Sequence, residues 1–159
     1  MGQNLILVDL ASLIKNFVKM RRQTYAEHKL HLDMPELPVM VRVNESRLVQ
    51  VLDNVLSNAI SFSPKWQEVR FILRRHATNN TVVLDIIDAG PGIPEKKLET
   101  VFDRFYSERP SDEKFGEHSG LGLSIARQIV IAHNGQLTAH NQAEGGACFR
   151  LILPLESLS

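Results

Sequence analysis

Two asparagines four residues apart are the first feature of this chain that suggests chemistry. Asn54 and Asn58 lie in residues 45–62, where leucine, valine and alanine recur at helical spacing. Because four residues make about one helical turn, both amides project from one edge of a helix whose apolar stripe packs elsewhere. Asparagine is a mediocre helix former, since its amide competes for backbone groups. The pair therefore indicates either a solvated edge or a binding site.

An acidic residue followed by two glycines is the second candidate. Asp88 ends a strongly apolar run, and Gly90 and Gly92 follow it in the order Asp-Ala-Gly-Pro-Gly. Glycines let the backbone approach a ligand closely, and a carboxylate beside them accepts a hydrogen bond, for example from an amino group. The same pattern is also typical of a plain turn.

A second glycine pair, Gly120 and Gly122, precedes an apolar segment with helical spacing. The N-terminus of a helix holds phosphate through its free backbone N–H groups and its dipole, without net basic charge. Asn58, assisted by Asn54, could then give oxygen atoms to a Mg²⁺ that also binds phosphate, because Mg²⁺ prefers hard oxygen ligands. The three pieces together indicate a ligand that carries phosphate and an amino group.

The elements that must position these residues are helices alternating with short strands. Helical spacing covers residues 10–27, 45–62 and 121–133, and Pro94 favours a short helix over 95–100. Strand patterns cover residues 29–34, 39–43, 69–75, 82–87, 136–141 and 148–154, while 4–8 is a short apolar run. The order predicts an α+β sandwich with helices on one face of a mixed sheet. The polar segment 107–119 is predicted to be a long loop that acts as a lid.

Length and charge limit the possible functions. The chain has 159 residues and 43% hydrophobic content, which predicts a single domain over residues 1–159. Its formal net charge is zero, so bulk charge suggests neither nucleic acid nor a membrane surface as a partner. The six histidines lack the spacing of a zinc site, and Cys148 stands alone in an apolar strand, which predicts core packing. With no apolar run of about 18 residues, we expect a soluble chain.

In their order, the motifs resemble those of the catalytic ATP-binding domain of bacterial sensor histidine kinases, within the wider Bergerat-fold (GHKL) group shared by gyrase-type and chaperone-type ATPases. Residues 54–59 (NVLSNA) are similar to the N box of that family, 88–93 (DAGPGI) to the first glycine box, 101–106 (VFDRFY) to the F box and 119–126 (SGLGLSIA) to the second glycine box. The resemblance covers nearly the whole chain. Residues 105–130 look most like the ChvG, ExoS and BvrS envelope-sensing kinases.

The resemblance implies a two-layer sandwich, with a mixed, mostly antiparallel sheet of about five strands and three main helices, that binds ATP and Mg²⁺. Asp88, flanked by Gly90 and Gly92, would bind the adenine amino group, while Asn58 and Asn54 serve Mg²⁺ and phosphate. The remaining implied contacts are Gly120, Leu121, Gly122 and Leu123 along the triphosphate, Phe62, Ile93 and Leu123 against the base, and Arg104 or Arg109 at the γ-phosphate or the partner domain.

Three places depart from the family pattern, one of which is the displaced basic residue between Tyr106 and Arg109, which leaves the role of Arg109 open. The basic residue often found three positions after the second asparagine is Ser61 here, so Lys65 is the candidate that replaces it. The asparagine that commonly follows the first-glycine-box aspartate is Ala89, which removes one polar contact and leaves the carboxylate of Asp88.

The histidine that such kinases phosphorylate is absent. None of the six histidines stands in a His-Glu/Asp-Leu-Arg-x-Pro run, and His133 is interpreted as a partly exposed residue at a helix end. We therefore expect a detached catalytic domain that donates the γ-phosphate of ATP to a histidine on a separate dimerisation and phosphoacceptor domain. By the same resemblance, a response regulator acts downstream, and the domain lies in the cytoplasm without touching the membrane that anchors its parent.

Two other functions remain open. An ATP-hydrolysing clamp of the gyrase or chaperone kind needs a glutamate base one helical turn before the Mg²⁺ asparagine, and Asn54 occupies that position. Asp53 is its neighbour but points about 100° away around the helix. A non-catalytic nucleotide-binding or docking module is the second alternative, for which the departures at Ser61 and Ala89 leave room.

Overall fold

The computed structural model describes residues 5–76, 78–103 and 122–156. In chain order the strands and helices are β1 (Ile6–Asp9), α1 (Leu10–Thr24), β2 (Lys29–Asp33), β3 (Met40–Val43), α2 (Glu45–Phe62), β4 (Glu68–His76), β5 (Thr81–Ile87), α3 (Gly122–Ala132), β6 (Gln136–Asn141) and β7 (Ala147–Pro154). The main sheet has the strand order β2-β4-β5-β7-β6. Only β2 and β4 pair in parallel, and the other neighbours are antiparallel. The predicted mixed, mostly antiparallel sheet of five strands is confirmed.

The three helices cover one face of this sheet. The face of α1 that is buried includes Leu13, Ile14 and Phe17, as its apolar spacing predicts. Phe71 of β4 and Phe149 of β7 point into the same core and are almost completely buried. Side chains alternate along a strand, so the next residues point to the other face of the sheet. The predicted two-layer sandwich is therefore confirmed.

The opposite face of the sheet carries a charged cluster at its centre. The side chain of Asp85 is 4% exposed and accepts two hydrogen bonds from Arg150, at 2.8 and 3.0 Å. Arg74 donates a third, at 2.9 Å, to Asp85 Oδ2. Two arginines on the neighbouring strands thus compensate the buried carboxylate, which satisfies the condition for burying a charge.

A small second sheet lies beside the main one. The N-terminal apolar run forms β1, which pairs antiparallel with β3, with Ile6 opposite Val43. The predicted strand at 39–43 therefore belongs to this pair and not to the main sheet. The carboxylate of Asp9 explains the arrangement, because its Oδ1 caps α1 at Ala11 N (3.1 Å) and also accepts from Val39 N (2.9 Å).

The predicted short helix at 95–100 is wrong in detail. Two separate 3₁₀ turns, Glu95–Lys97 and Thr100–Phe102, occupy this segment. Val101 and Phe102 are buried, so packing supports the second turn in addition to its hydrogen bond from Asp103 N to Thr100 O at 2.9 Å. In the part of the chain that the structure describes, no helix is both long and apolar enough to cross a membrane.

Candidate functional site

Helix α2 carries both candidate asparagines and has the predicted bounds. It begins after Asn44, whose side chain accepts a hydrogen bond from Arg47 N at 3.1 Å, as a helix N-cap does. Leu52, Val55 and Ala59 are buried in the core. This packing leaves the edge with the two asparagines at the border of the core, where both residues are partly exposed.

Asn58 has a buried oxygen that the described residues leave unsatisfied. Its Oδ1 atom is inaccessible to solvent and has no hydrogen-bond partner within the described ranges. A buried amide oxygen without a donor costs about 1–3 kcal/mol, so such atoms are rare in native proteins. A bound cation or a donor from a ligand would remove this cost.

Asn54 joins the helix edge to the start of α3. Its Nδ2 donates to Gly122 O at 3.0 Å, which directs the amide oxygen away from Gly122. A side chain at Gly122 would lie 3.8 Å from Asn54 Cγ, so the two elements are in contact here. Leu123, the next residue, is buried in the core. The structure thus brings Asn54 and Gly122 together.

Asp88 is held by backbone groups at the end of β5. It is 3% exposed, and its Oδ1 accepts from Gly90 N at 2.9 Å and from Ala147 N at 3.0 Å. Its own N–H donates to Ala147 O at 2.9 Å. Two donors on one oxygen fix the orientation of the carboxylate, so a further donor from a ligand would have to meet Oδ2. Ala147 was not among the predicted site residues.

Asn141 at the end of β6 holds the loop that follows Asp88. Its Oδ1 accepts from Ile93 N at 2.8 Å, and its Nδ2 donates to Ile93 O at 2.6 Å. Gly92 has a φ of +89°, and a Cβ there would lie 2.9 Å from Asn141 Oδ1, so only glycine fits without a shift. The sequence carries no signal for Asn141, since a lone amide in a strand has no distinguishing spacing.

A hydrogen bond ties the C-terminal end of α2 to the same loop. Ser63, the C-cap residue of α2, accepts through Oγ from Ala89 N at 3.0 Å. Ser61, where the family often has a basic residue, donates to the carbonyl of Asn58 at 2.8 Å. Helix α2 therefore contacts α3 through Asn54 and the loop after β5 through Ser63.

Several predicted site residues are not placed together with these. Lys65 is exposed in the segment between α2 and β4, with its Nζ 3.5 Å from Glu27 Oε1. Phe62 ends α2, but its side chain lies outside the described part. The residues outside the described ranges are Arg104, Arg109, Gly120 and Leu121. Their roles, and that of Lys65, stay predictions.

The described part of the predicted F box is anchored to α3. The guanidinium carbon of Arg127 lies 4.4 Å from the centre of the Phe102 ring, and the same group forms an ion pair with Glu99. The hydrogen bond from Arg127 lowers the pKa of Glu99, although the glutamate is exposed. The end of the described segment before residue 104 is thus coupled to α3, while the predicted lid over residues 107–119 lies outside the described ranges and stays a prediction.

The interpretation of His133 as partly exposed is wrong. It is 5% exposed, and its Nε2 lies 3.0 Å from the backbone nitrogen of Asn44. Because Asn44 N is a donor, Nε2 accepts, and Nδ1 carries the proton that it donates to Ile129 O at 2.8 Å. The C-terminal end of α3 thus meets the N-cap of α2, a long-range contact that the sequence pattern around His133 does not indicate.

Comparison with known proteins agrees with this geometry. The family described as histidine kinase-, DNA gyrase B-, and HSP90-like ATPase matches residues 43–157. The Sensor protein ChvG of Rhizobium meliloti (strain 1021) is 38% identical over 92% of this chain and 28% of its own length. The Sensor histidine kinase WalK of Bacillus subtilis (strain 168) is 34% identical over 93% of this chain and 24% of its own length. The chain thus spans about a quarter of these relatives.

A solved structure gives the same result. The mycobacterial sensor histidine kinase MprB superposes with a TM-score of 0.81 at 28% identity, over 97% of this chain and 99% of that one. The resemblance to sensor histidine kinases, including ChvG, is confirmed. This chain belongs to the family of histidine kinase-, DNA gyrase B- and HSP90-like ATPases, and its relatives there are sensor histidine kinases.

Proposed function

We propose that this domain binds ATP with Mg²⁺ and donates the γ-phosphate to a histidine on the separate dimerisation and phosphoacceptor domain of its parent kinase. The observation that carries the proposal is the attachment of both glycine motifs to α2, next to the unsatisfied oxygen of Asn58. Family membership supports ATP as the ligand. One ligand that spans these contacts would have a base at Asp88 and phosphates near Asn54 and Asn58.

The base end would be recognised by Asp88. A carboxylate oxygen accepts from the amino group of adenine, whereas the corresponding carbonyl of hypoxanthine would be repelled. Ile93, in the loop that follows Asp88, is buried and offers apolar contact to the adenine ring. These residues would orient the base and so set the direction in which the phosphates extend.

The phosphate end would be formed by α2 and α3. Asn58 and Asn54 supply neutral oxygen atoms, which fit a Mg²⁺ that takes most of its ligands from water and phosphate. When bound, Mg²⁺ would reduce the negative charge on the phosphates. The first N–H groups of α3, an 11-residue helix that begins at Gly122, lack helical partners and can donate to phosphate oxygens.

The positions of the two neighbouring side chains argue against rapid ATP hydrolysis. Asn54 cannot take a proton at neutral pH, and its amide is engaged with Gly122. Asp53, the adjacent carboxylate, forms a two-point ion pair with Arg21 at 2.6 and 2.7 Å. Neither residue is positioned to activate water, so we favour phosphoryl transfer to a supplied histidine over the ATPase clamp.

Two experiments test the proposal. Calorimetry with ATP, with and without Mg²⁺, should show binding that Mg²⁺ strengthens, and absence of binding would favour a docking module. In the second, γ-labelled ATP is incubated with the domain alone and with the helical phosphoacceptor domain of the parent. Label should appear on histidine only in the mixture. Label on the isolated domain, or ATP turnover of about 10 per second, would contradict the proposal.

The setting of the domain follows from the same proposal. We place it on the cytoplasmic side of a membrane-anchored parent, with a response regulator as the next acceptor of the phosphoryl group. Reading the codons upstream of Met1 in the natural gene tests this, since a helical phosphoacceptor segment and a membrane span should precede the domain there.

A further inference from the structure

We propose that Asn141 is a positioning residue for the base-binding loop, which fixes Gly92 and Ile93 and thereby the geometry of base selection. This inference rests on the proposed function, since it concerns the same nucleotide site. It adds a residue from a strand end 48 positions away along the chain, outside the matched sequence motifs.

The contact is specific because it uses both ends of one amide. Asn141 accepts from Ile93 N and donates to Ile93 O, at 2.8 and 2.6 Å. An amide that pairs with both backbone groups of one residue acts as an additional rung of the sheet beyond the end of β6. Of the 20 standard side chains, only Asn and Gln carry an amide, and Gln is longer by one methylene. The side chain therefore determines both the distance and the orientation of the loop.

The same strand end also holds Asp88. Asn141 lies opposite Ala147 in the pairing of β6 with β7, and Ala147 N donates to Asp88 Oδ1. Gly146 packs so closely that a Cβ there would lie 2.1 Å from the backbone oxygen of Asp88. The β6–β7 turn is thus a rigid support on which the carboxylate and the loop are both mounted. Asn141 fixes their relative position.

The position of Asn141 predicts that a variant without its amide loses more affinity for a nucleotide that carries the adenine amino group than for one that lacks it. Removing the amide leaves two backbone groups of Ile93 without their partners and frees the loop to move relative to Asp88. Affinity for ATP should fall about tenfold. Inosine triphosphate has the same phosphates but lacks the amino group, so its affinity should fall less. The ratio of the two affinities should therefore decrease in the variant.

The test compares Asn141→Ala and Asn141→Asp with the wild-type protein by calorimetry with both nucleotides. The aspartate is nearly isosteric and keeps the acceptor for Ile93 N, but places an oxygen against Ile93 O. It therefore reports on the contact even if the alanine variant folds poorly. His140→Ala is the matched control, because this exposed neighbour contacts Thr138 and should leave both affinities unchanged. Hydrogen exchange of the Ile93 amide, which Asn141 protects, gives a readout without nucleotide.

The outcomes separate the inference from the proposed function. A wild-type protein that binds neither nucleotide would overturn both. If the wild-type protein prefers ATP and the Asn141 variants keep the same ratio of ATP to inosine triphosphate affinity, the inference alone is overturned. Loss of a purely structural contact would weaken the binding of both nucleotides equally. Faster Ile93 exchange together with a reduced ratio supports it.

Discussion

Replacing Asp88 with asparagine tests where the base binds. In the wild-type protein Oδ1 is occupied by Gly90 N and Ala147 N. An asparagine can keep both bonds only by placing its oxygen at the Oδ1 position. Its NH₂ group then takes the position of Oδ2 and faces the amino group of the adenine. A donor meets a donor, so the variant loses one hydrogen bond and leaves a buried N–H unsatisfied.

The expected loss can be worked out from these contacts. A hydrogen bond to a charged acceptor contributes about 1.5–3 kcal/mol, and an unsatisfied buried donor costs a further 1–3 kcal/mol. Together these give a loss of about 2.5–6 kcal/mol, which corresponds to an affinity for ATP lowered about 70- to 20,000-fold. The two backbone contacts that position the side chain persist in the variant, so we expect it to fold.

Asp85→Asn is the matched control for this experiment. It is another buried aspartate of the same segment, but it lies on the opposite sheet face between Arg74 and Arg150. Its replacement should lower the free energy of unfolding, since it weakens a buried ionic cluster, and leave ATP affinity unchanged in the folded protein. Calorimetric titration with ATP and urea unfolding measure the two quantities. Asp88→Asn binding within about threefold of wild type would refute the placement of the base.

Three further predictions concern stability. In urea unfolding, Gly146→Ala should destabilise the fold by about 2 kcal/mol more than Gly145→Ala. Both glycines have positive φ, but only a Cβ at Gly146 would clash, with Asp88 O. Equal losses of stability would contradict this. Trp66 has φ of +70° and is 61% exposed, so Trp66→Gly should be about 1 kcal/mol more stable than Trp66→Ala, with a Tm about 2–4 °C higher; a lower Tm would show that strain is absent. Burial raises the pKa of the Cys148 thiol to about 12. This pKa exceeds the unfolded value of about 8.5, so the stability that the neutral thiol contributes should be complete below about pH 8.5 and be lost as the pH rises towards 12. A Cys148→Val variant should lack this part of the pH dependence of unfolding.

The sequence determined the local features of this protein. The bounds of α2, the buried stripe of α1 and the glycine motifs could be predicted because each depends on residues a few positions apart. Helical periodicity and glycine conformations are properties of the neighbouring backbone, so they are visible without knowledge of the partners. The family resemblance added the expected order of the motifs around one ligand.

The tertiary structure decided which distant groups meet. The contact of Asn141 with Ile93 spans 48 positions, the contact of Asp88 with Ala147 spans 59, and that of Asn44 with His133 spans 89. Helical geometry already pointed Asp53 away from the site, and the fold added its pairing with Arg21 as a second reason against a role as base. These contacts depend on strand register and helix packing, which involve the whole core, and no local pattern encodes them. For this reason the sequence predicted the residues that we propose touch the ligand, while the fold showed which distant groups hold several of them in place.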